Sequence, residues 1–127
     1  NTRDNELFQW CFNYLKEVLN EYPNNLEILN TWASHLLCYS RISDPQARSK
    51  ILIEAKEKAN LAMKSGGSCY NLACCYALLG DEIVALAYLD KSLHEKAITV
   101  DYVINSEDWA VLKNKKEFLR IIDKYSK

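Results

Sequence analysis

The stretch YNLACCYALLGD, residues 70–81, decides the fold of this chain. It contains the longest uninterrupted apolar run, and that run stops at Gly80-Asp81, where glycine provides a turn. Apolar and small residues then recur at intervals of three and four: Ala85, Leu89, Ser92 and Leu93. The spacing predicts two helices joined by a tight turn, the first after Ser68 and the second over about 82–95.

Amphipathic helices are predicted on both sides of this hairpin. The same periodicity predicts helices from Leu7 to Tyr22, from about Leu26 to Tyr39, and from Pro45 to a break at Gly66-Gly67. Pro23-Asn24-Asn25 and Ser43-Asp44-Pro45 provide the turn and capping residues between them. We expect Ser40 to lie in a turn and Ser68 to cap the following helix. Beyond residue 99 we expect two short helical pieces and a final helix from Lys115 to about Lys124.

The composition agrees with an all-α domain. The chain has 127 residues, of which 49% are hydrophobic, and only three glycines and two prolines. So few turn residues exclude an all-β sandwich or barrel, and the hydrophobic content excludes intrinsic disorder. The length suits a single domain. The helices form pairs, and small residues recur where neighbouring helices would approach, which favours stacked helix hairpins over a four-helix bundle.

Residues 70–93 resemble a tetratricopeptide repeat, a helix–turn–helix unit of about 34 residues. The resemblance rests on Leu72-Ala73, Tyr76, Gly80 and Ala85, followed by a large apolar and a small residue. Ala73 and Ala85 would allow close helix contact, and Tyr76 would fill the space between the paired helices. Ser92 stands where the repeat usually has alanine.

The resemblance extends, less closely, to the rest of the chain. Trp32-Ala33 matches Leu72-Ala73 in a degenerate upstream copy, and residues 105–122, with Trp109 and Phe118, resemble the segment that closes many bacterial arrays. The resemblance implies a short right-handed α-solenoid of two to three repeats within one domain, 1–127. Its parts would be an N-terminal helix (1–22), a degenerate repeat (26–65), a well-matched repeat (68–95) and a C-terminal capping segment (100–127).

Arrays of this family bind a peptide or partner helix in a concave groove, which the first helix of each repeat lines. The resemblance therefore implies a non-catalytic protein–protein interaction module or scaffold with a protein or peptide partner. An alternative for Tyr70 and Leu78 is a contact in the core or cap. The groove candidates are Asn30, Ser34, Leu37, Tyr70, Asn71, Cys74, Leu78 and Asn105.

The sequence offers no pattern typical of an enzyme or a metal site. It has no phosphate-binding glycine loop, no nucleophile elbow and no zinc-protease motif. The five cysteines are an odd number, so a fully paired disulfide framework is disfavoured and buried free thiols are expected. His35 with Cys38, and Cys69 with Cys74, are weak candidates for zinc. We expect no catalytic residue, no metal and no cofactor.

Charge and hydropathy restrict the partners. Sixteen basic and seventeen acidic residues give a net charge of −1, which disfavours nucleic acid. No run approaches the roughly 20 apolar residues that span a bilayer. With reduced cysteines and no signal segment, we expect a cytoplasmic location. Because the chain has no initiator methionine, we expect it to be a mature or excised piece of a larger protein.

Two further hypotheses stay open. In one, the chain is a structural or regulatory domain of a larger enzyme or effector, and mediates homodimerisation or intramolecular docking. In the other, Cys69, Cys74 and Cys75 carry thiol or metal chemistry.

Overall fold

The structure is a computed structural model that describes residues 2–127. It contains seven α-helices and one 3-10 helix, and no strand occurs within residues 2–127. The predicted all-α class is therefore confirmed. The chain divides into two compact units, the first ending at Gly67 and the second running from Ser68 to Lys127.

The first unit contains α1 (Thr2–Glu21), α2 (Leu26–Ile42) and α3 (Pro45–Lys64). The predicted capping residues start α2 and α3. Asn25 Oδ1 accepts a hydrogen bond from the Ile28 amide at 3.1 Å, and Asp44 Oδ1 accepts one from the Ala47 amide at 2.9 Å. Pro45 occupies the first turn of α3, where its missing amide hydrogen costs nothing.

The second unit contains α4 (Tyr70–Leu79), α5 (Glu82–His94), α6 (Val100–Asn105), the 3-10 helix (Glu107–Leu112) and α7 (Lys116–Tyr125). Gly80 ends α4 in the left-handed conformation, with φ of 90°. This is the turn that the sequence predicts between α4 and α5, and the backbone there favours glycine.

Two predicted boundaries were wrong. Helix α2 continues three residues beyond Tyr39, so Ser40 lies inside its last turn rather than in a loop. Ser40 is buried, and its hydroxyl donates to the Leu37 carbonyl at 2.6 Å. Its own carbonyl accepts from Arg48 Nε at 3.0 Å, and this bond satisfies a carbonyl near the end of the helix. The second error concerns α4, whose N-cap is Cys69, although the Ser68 hydroxyl does accept a hydrogen bond from the Tyr70 amide.

Small residues lie where paired helices meet, as predicted. Ala33 and Ala59 are fully buried in the first unit, where α2 and α3 form the most extensive helix contact. Ala73 and Ala85 are fully buried in the second unit, where α4 packs on α5. Without a longer side chain at these positions, the paired backbones can approach closely.

Aromatic and polar contacts complete the α4–α5 hairpin. Tyr76 on α4 stacks on Tyr88 of α5, with ring centroids 6.0 Å apart, so it fills the space between the paired helices. Ser92 is fully buried, and its hydroxyl donates to the Tyr88 carbonyl at 2.8 Å. This hydrogen bond makes a polar side chain tolerable in a buried position.

Candidate functional site

The groove candidates on α2 share one face of the helix. Asn30, Ser34 and Leu37 are spaced by four and three residues, which places them along one side. Ser34 is exposed and Asn30 is half-buried, whereas Leu37 is only 3% exposed. Ser34 and Asn30 are therefore the accessible members of this set.

The candidates in the second unit differ in the same way. Asn71 and Leu78 are half-buried and Asn105 is exposed, with its amide donating to the Asp101 carbonyl at 2.9 Å. Cys74 is only 1% exposed. The candidates on α2 and those on α4 and α6 belong to different units. A single groove formed by both sets stays a prediction.

Tyr70 takes part in a core contact, one of the two alternatives that the sequence leaves open. Its side chain is 9% exposed, and its hydroxyl accepts a hydrogen bond from Trp109 Nε1 at 3.1 Å. The Trp109 ring is fully buried and stacks on Phe118, with centroids 6.1 Å apart. The hydrogen bond joins α4 to the 3-10 helix and satisfies a donor that would otherwise be buried without a partner.

The Tyr70 hydroxyl and the adjacent Cys74 thiol have raised pKa values, so both stay neutral at ordinary pH. Burial, and then the adjacent Cys74, raises the pKa of Tyr70 well above its usual range. Burial, and then the charge of Asp108, raises the pKa of the Cys74 thiol. A thiol must ionise to act as a nucleophile or metal ligand, so these shifts disfavour reactivity at Cys74.

The other cysteines divide between the core and the surface. Cys69 and Cys75 are buried, and Cys69 Sγ lies 3.4 Å from the Tyr88 carbonyl oxygen and 3.2 Å from the Ser92 hydroxyl. Cys11 is half-buried and Cys38 is exposed. All five are free thiols. The expectation of buried free thiols is thus confirmed for three of them.

The weak metal candidates do not form a cluster. His35 is half-buried on α2, and Cys38 Sγ accepts a long hydrogen bond of 3.5 Å from an Arg41 guanidinium nitrogen. Across the described part of the chain, no group of three or more histidine, cysteine, aspartate or glutamate side chains is arranged to hold a metal ion.

The structure contains a groove in the first unit that sequence reasoning missed. It lies between α1 and α3, has α2 as its floor, and encloses about 410 Å³. We call it the α1–α3 groove. Its walls and floor comprise Gln9, Phe12, Asn13, Lys16, Trp32, Leu36, Tyr39, Ala47, Lys50, Ile51 and Glu54. The spacing of Phe12 and Lys16 on α1 was a signal for it, because it places two groove residues along one face.

A second cleft, of about 420 Å³, lies between α5 and α7 in the second unit. Its apolar lining includes Leu86, Ala87 and Ile121. The ion pair between Lys115 and Glu82, at 3.7 Å, joins the N-cap of α7 to the start of α5 beside this cleft. Exposed pairs of this kind contribute little stability.

None of the described helices is long and apolar enough to cross a membrane. Comparison of the chain with models of protein families, with curated proteins and with solved structures finds no match in any of the three.

Proposed function

We propose that this chain is a non-catalytic protein–protein interaction module of the tetratricopeptide type, which binds a peptide or partner helix along the first helices of its hairpins. One observation carries the proposal. In the α4–α5 hairpin, each residue of the motif has the environment that the resemblance implies: Ala73 and Ala85 are fully buried, Tyr76 stacks between the helices, and Gly80 is left-handed.

The accessible candidates offer chemistry suited to an extended peptide. Asn30 and Asn71 are half-buried amides, and Ser34 is an exposed hydroxyl. Amide side chains can both donate to and accept from a peptide backbone, so they bind main chain without demanding one sequence. The buried Leu37, Tyr70 and Cys74 would then support these residues from beneath, without touching the ligand.

Site-specific photocrosslinking tests this proposal. A benzophenone amino acid is placed at Ser34 or Asn71 and, as matched controls, at the exposed Glu57 of α3 or Lys91 of α5. We expect Ser34 and Asn71 to crosslink to one and the same partner, and an excess of unlabelled chain to compete for it. Crosslinks from Glu57 and Lys91 alone would contradict the proposed binding face.

The alternative, a docking or dimerisation domain, is favoured by one surface. Leu7, Trp10 and Tyr14 on α1 are 61%, 66% and 57% exposed, and their spacing of three and four places them on one side of the helix. Trp10 and Tyr14 stack on each other, with ring centroids 6.0 Å apart. If a second copy covers this surface, sedimentation will show a concentration-dependent mass that Trp10→Ala abolishes. A monomer at high concentration would contradict the homodimer.

A further inference from the structure

The α1–α3 groove has the dimensions of a helix-binding site. Its lining residues extend from Gln9 to Lys16 on α1, from Trp32 to Tyr39 on α2 and from Ala47 to Glu54 on α3. At 1.5 Å per residue, each stretch is about 10 Å long, or two helical turns. A groove between two helices over a third is a common acceptor for an amphipathic helix that inserts anchors spaced by three, four and seven residues.

The floor of the groove is apolar and held by ring contacts. The Tyr39 ring lies 5.0 Å from that of Phe8 and 5.7 Å from that of Phe12, measured between centroids. Leu36 is buried beneath the groove and Ile51 is half-buried on its α3 wall. Because these contacts exist before a ligand arrives, little side-chain ordering is left for the binding step.

The charged residues of the groove favour an acidic ligand. Lys16 and Lys50 lie on opposite walls with one carboxylate, Glu54, so cations outnumber anions. All three are exposed, and they form no ion pair with any described residue. A carboxylate on each side of an inserted helix could therefore pair with a lysine that now has no partner.

An unsatisfied donor lies in the floor. Trp32 is 6% exposed, and its Nε1 is the one buried side-chain nitrogen or oxygen in the described part of the chain without a hydrogen-bond partner. The Lys58 ammonium lies 4.3 Å from the centroid of the Trp32 ring. Because this nitrogen is itself enclosed, a ligand does not contact it directly, and the Trp32 indole serves as a reporter of changes in the groove floor.

The geometry points to the α1–α3 groove as a binding site for an acidic amphipathic helix of a partner protein. The apolar face of that helix contacts Phe12 and Ile51, and its carboxylates pair with Lys16 and Lys50. This inference goes beyond the proposed function, because none of the candidate residues Asn30, Ser34 and Asn71 lines this groove.

The first test is a titration of the full ¹⁵N-labelled chain with synthetic helical probes. The acidic probe has about 14 residues, leucines spaced by three, four and seven, and glutamates at the flanking positions; the basic probe has lysines in place of those glutamates. We expect the acidic probe to bind with a Kd of roughly 10–100 µM and the basic probe at least about tenfold more weakly. Equal affinity for the two probes would overturn the proposal.

Charge-reversal substitutions test whether the probe binds in this groove. Charge reversal at both walls, Lys16→Glu with Lys50→Glu, should invert the preference so that the basic probe binds better. The matched control, Lys64→Glu, changes an exposed lysine of α3 outside the groove and should leave the preference for the acidic probe unaltered. Because a gain of binding needs a folded protein, inversion cannot arise from unfolding. An unchanged preference in the double variant would contradict the proposal.

The tryptophan indole signals report the location independently. The acidic probe should shift the Trp32 Nε1–H signal, which the variant Trp32→Phe assigns. The Nε1–H signal of Trp109 should not shift, because that group is bonded to Tyr70 in the second unit. Trp10 is exposed and does not line the groove, so it is a second internal control. Shifts confined to Trp10 or Trp109 would overturn the assignment. The proposal would also be overturned if sedimentation showed a dimer that the groove substitution Ala47→Arg converts to a monomer, because a second copy of the chain would then occupy the groove.

Discussion

The hydrogen bond from Trp109 to Tyr70 makes a strong prediction about stability. In Tyr70→Phe the ring contacts with Tyr102 and Trp109 stay, but the hydroxyl that accepts from Trp109 Nε1 is lost. Trp109 is fully buried, so its N–H has no water to replace that acceptor. A buried donor left unpaired costs about 1–3 kcal/mol. We expect the free energy of unfolding to fall by about 2 kcal/mol and Tm by roughly 6–10 °C.

Urea denaturation followed by circular dichroism measures this loss, with Tyr102→Phe as the matched control. The Tyr102 ring packs edge-on against Tyr70, but its side chain is 60% exposed and its hydroxyl makes no hydrogen bond among the described residues. That variant should stay within about 0.5 kcal/mol of the parent. If Tyr70→Phe is equally mild, the hydrogen bond does not stabilise the second unit and the reasoning is refuted.

The pH dependence gives a second measure of the same contact. Burial raises the pKa of Tyr70 in the folded chain, whereas in the unfolded chain it titrates near its usual value of about 10. Above that pH the unfolded state loses a proton that the folded state retains, so the parent loses stability as pH rises. At pH 11 this loss is about 1.4 kcal/mol. Phenylalanine cannot ionise, so the deficit of Tyr70→Phe should shrink from about 2 to roughly 0.6 kcal/mol. A constant deficit between pH 8 and 11 would contradict the pKa shift.

Three other substitutions or modifications test the remaining structure. Gly80→Ala meets no steric obstacle but must adopt φ of 90°, so urea denaturation should show a loss of about 1 kcal/mol, and no loss would contradict the left-handed turn. Iodoacetamide should alkylate the exposed Cys38 in the native chain, whereas Cys74 should react only after unfolding; mass spectrometry after peptide digestion distinguishes them. Tyr125, followed by Lys124, holds the pKa of Asp90 below its usual range, so this carboxylate stabilises the fold above about pH 4 and loses that effect as pH falls further. Asp90→Asn should therefore be less stable at pH 7 with a shallower loss on acidification, as measured by thermal melts from pH 2 to 7; an unchanged acid profile would count against the contact.

The local features of the fold were predictable from the sequence because neighbours in the chain determine them. The Asp44 side chain caps the start of α3, and the Pro45 ring favours helical backbone geometry in its first turn. Gly80 forms a turn because its backbone can adopt the left-handed conformation. Ser40 was misplaced because the interaction that supports it comes from Arg48, on the next helix. Helical periodicity near Ser40 does not show that the guanidinium of Arg48 lies close to it in the folded chain.

The candidate site was less predictable, because it depends on contacts between distant positions. Tyr70 has the spacing of a groove residue, yet its hydroxyl pairs with Trp109, 39 residues further on. Periodicity shows which side of α4 is apolar, but not which residues of the 3-10 helix cover it. The α1–α3 groove was missed for a similar reason. Its three stretches are separated by turns, and only packing on α2 places Lys16 and Lys50 on opposite walls.

The two units differ in whether their buried polar side chains have hydrogen-bond partners. In the core of the second unit, the buried polar groups have partners: Ser92 bonds to the Tyr88 carbonyl and Trp109 to Tyr70. The α1–α3 groove is different, because Trp32 Nε1 has no acceptor and Lys16 has no carboxylate within the described residues. The enclosed Trp32 nitrogen is out of reach of a ligand, whereas the exposed Lys16 and Lys50 can exchange hydrating water for a carboxylate, which contributes more to specificity than to affinity. Lys16 and Lys50 are therefore the groove residues at which the charge of a partner should decide whether it binds.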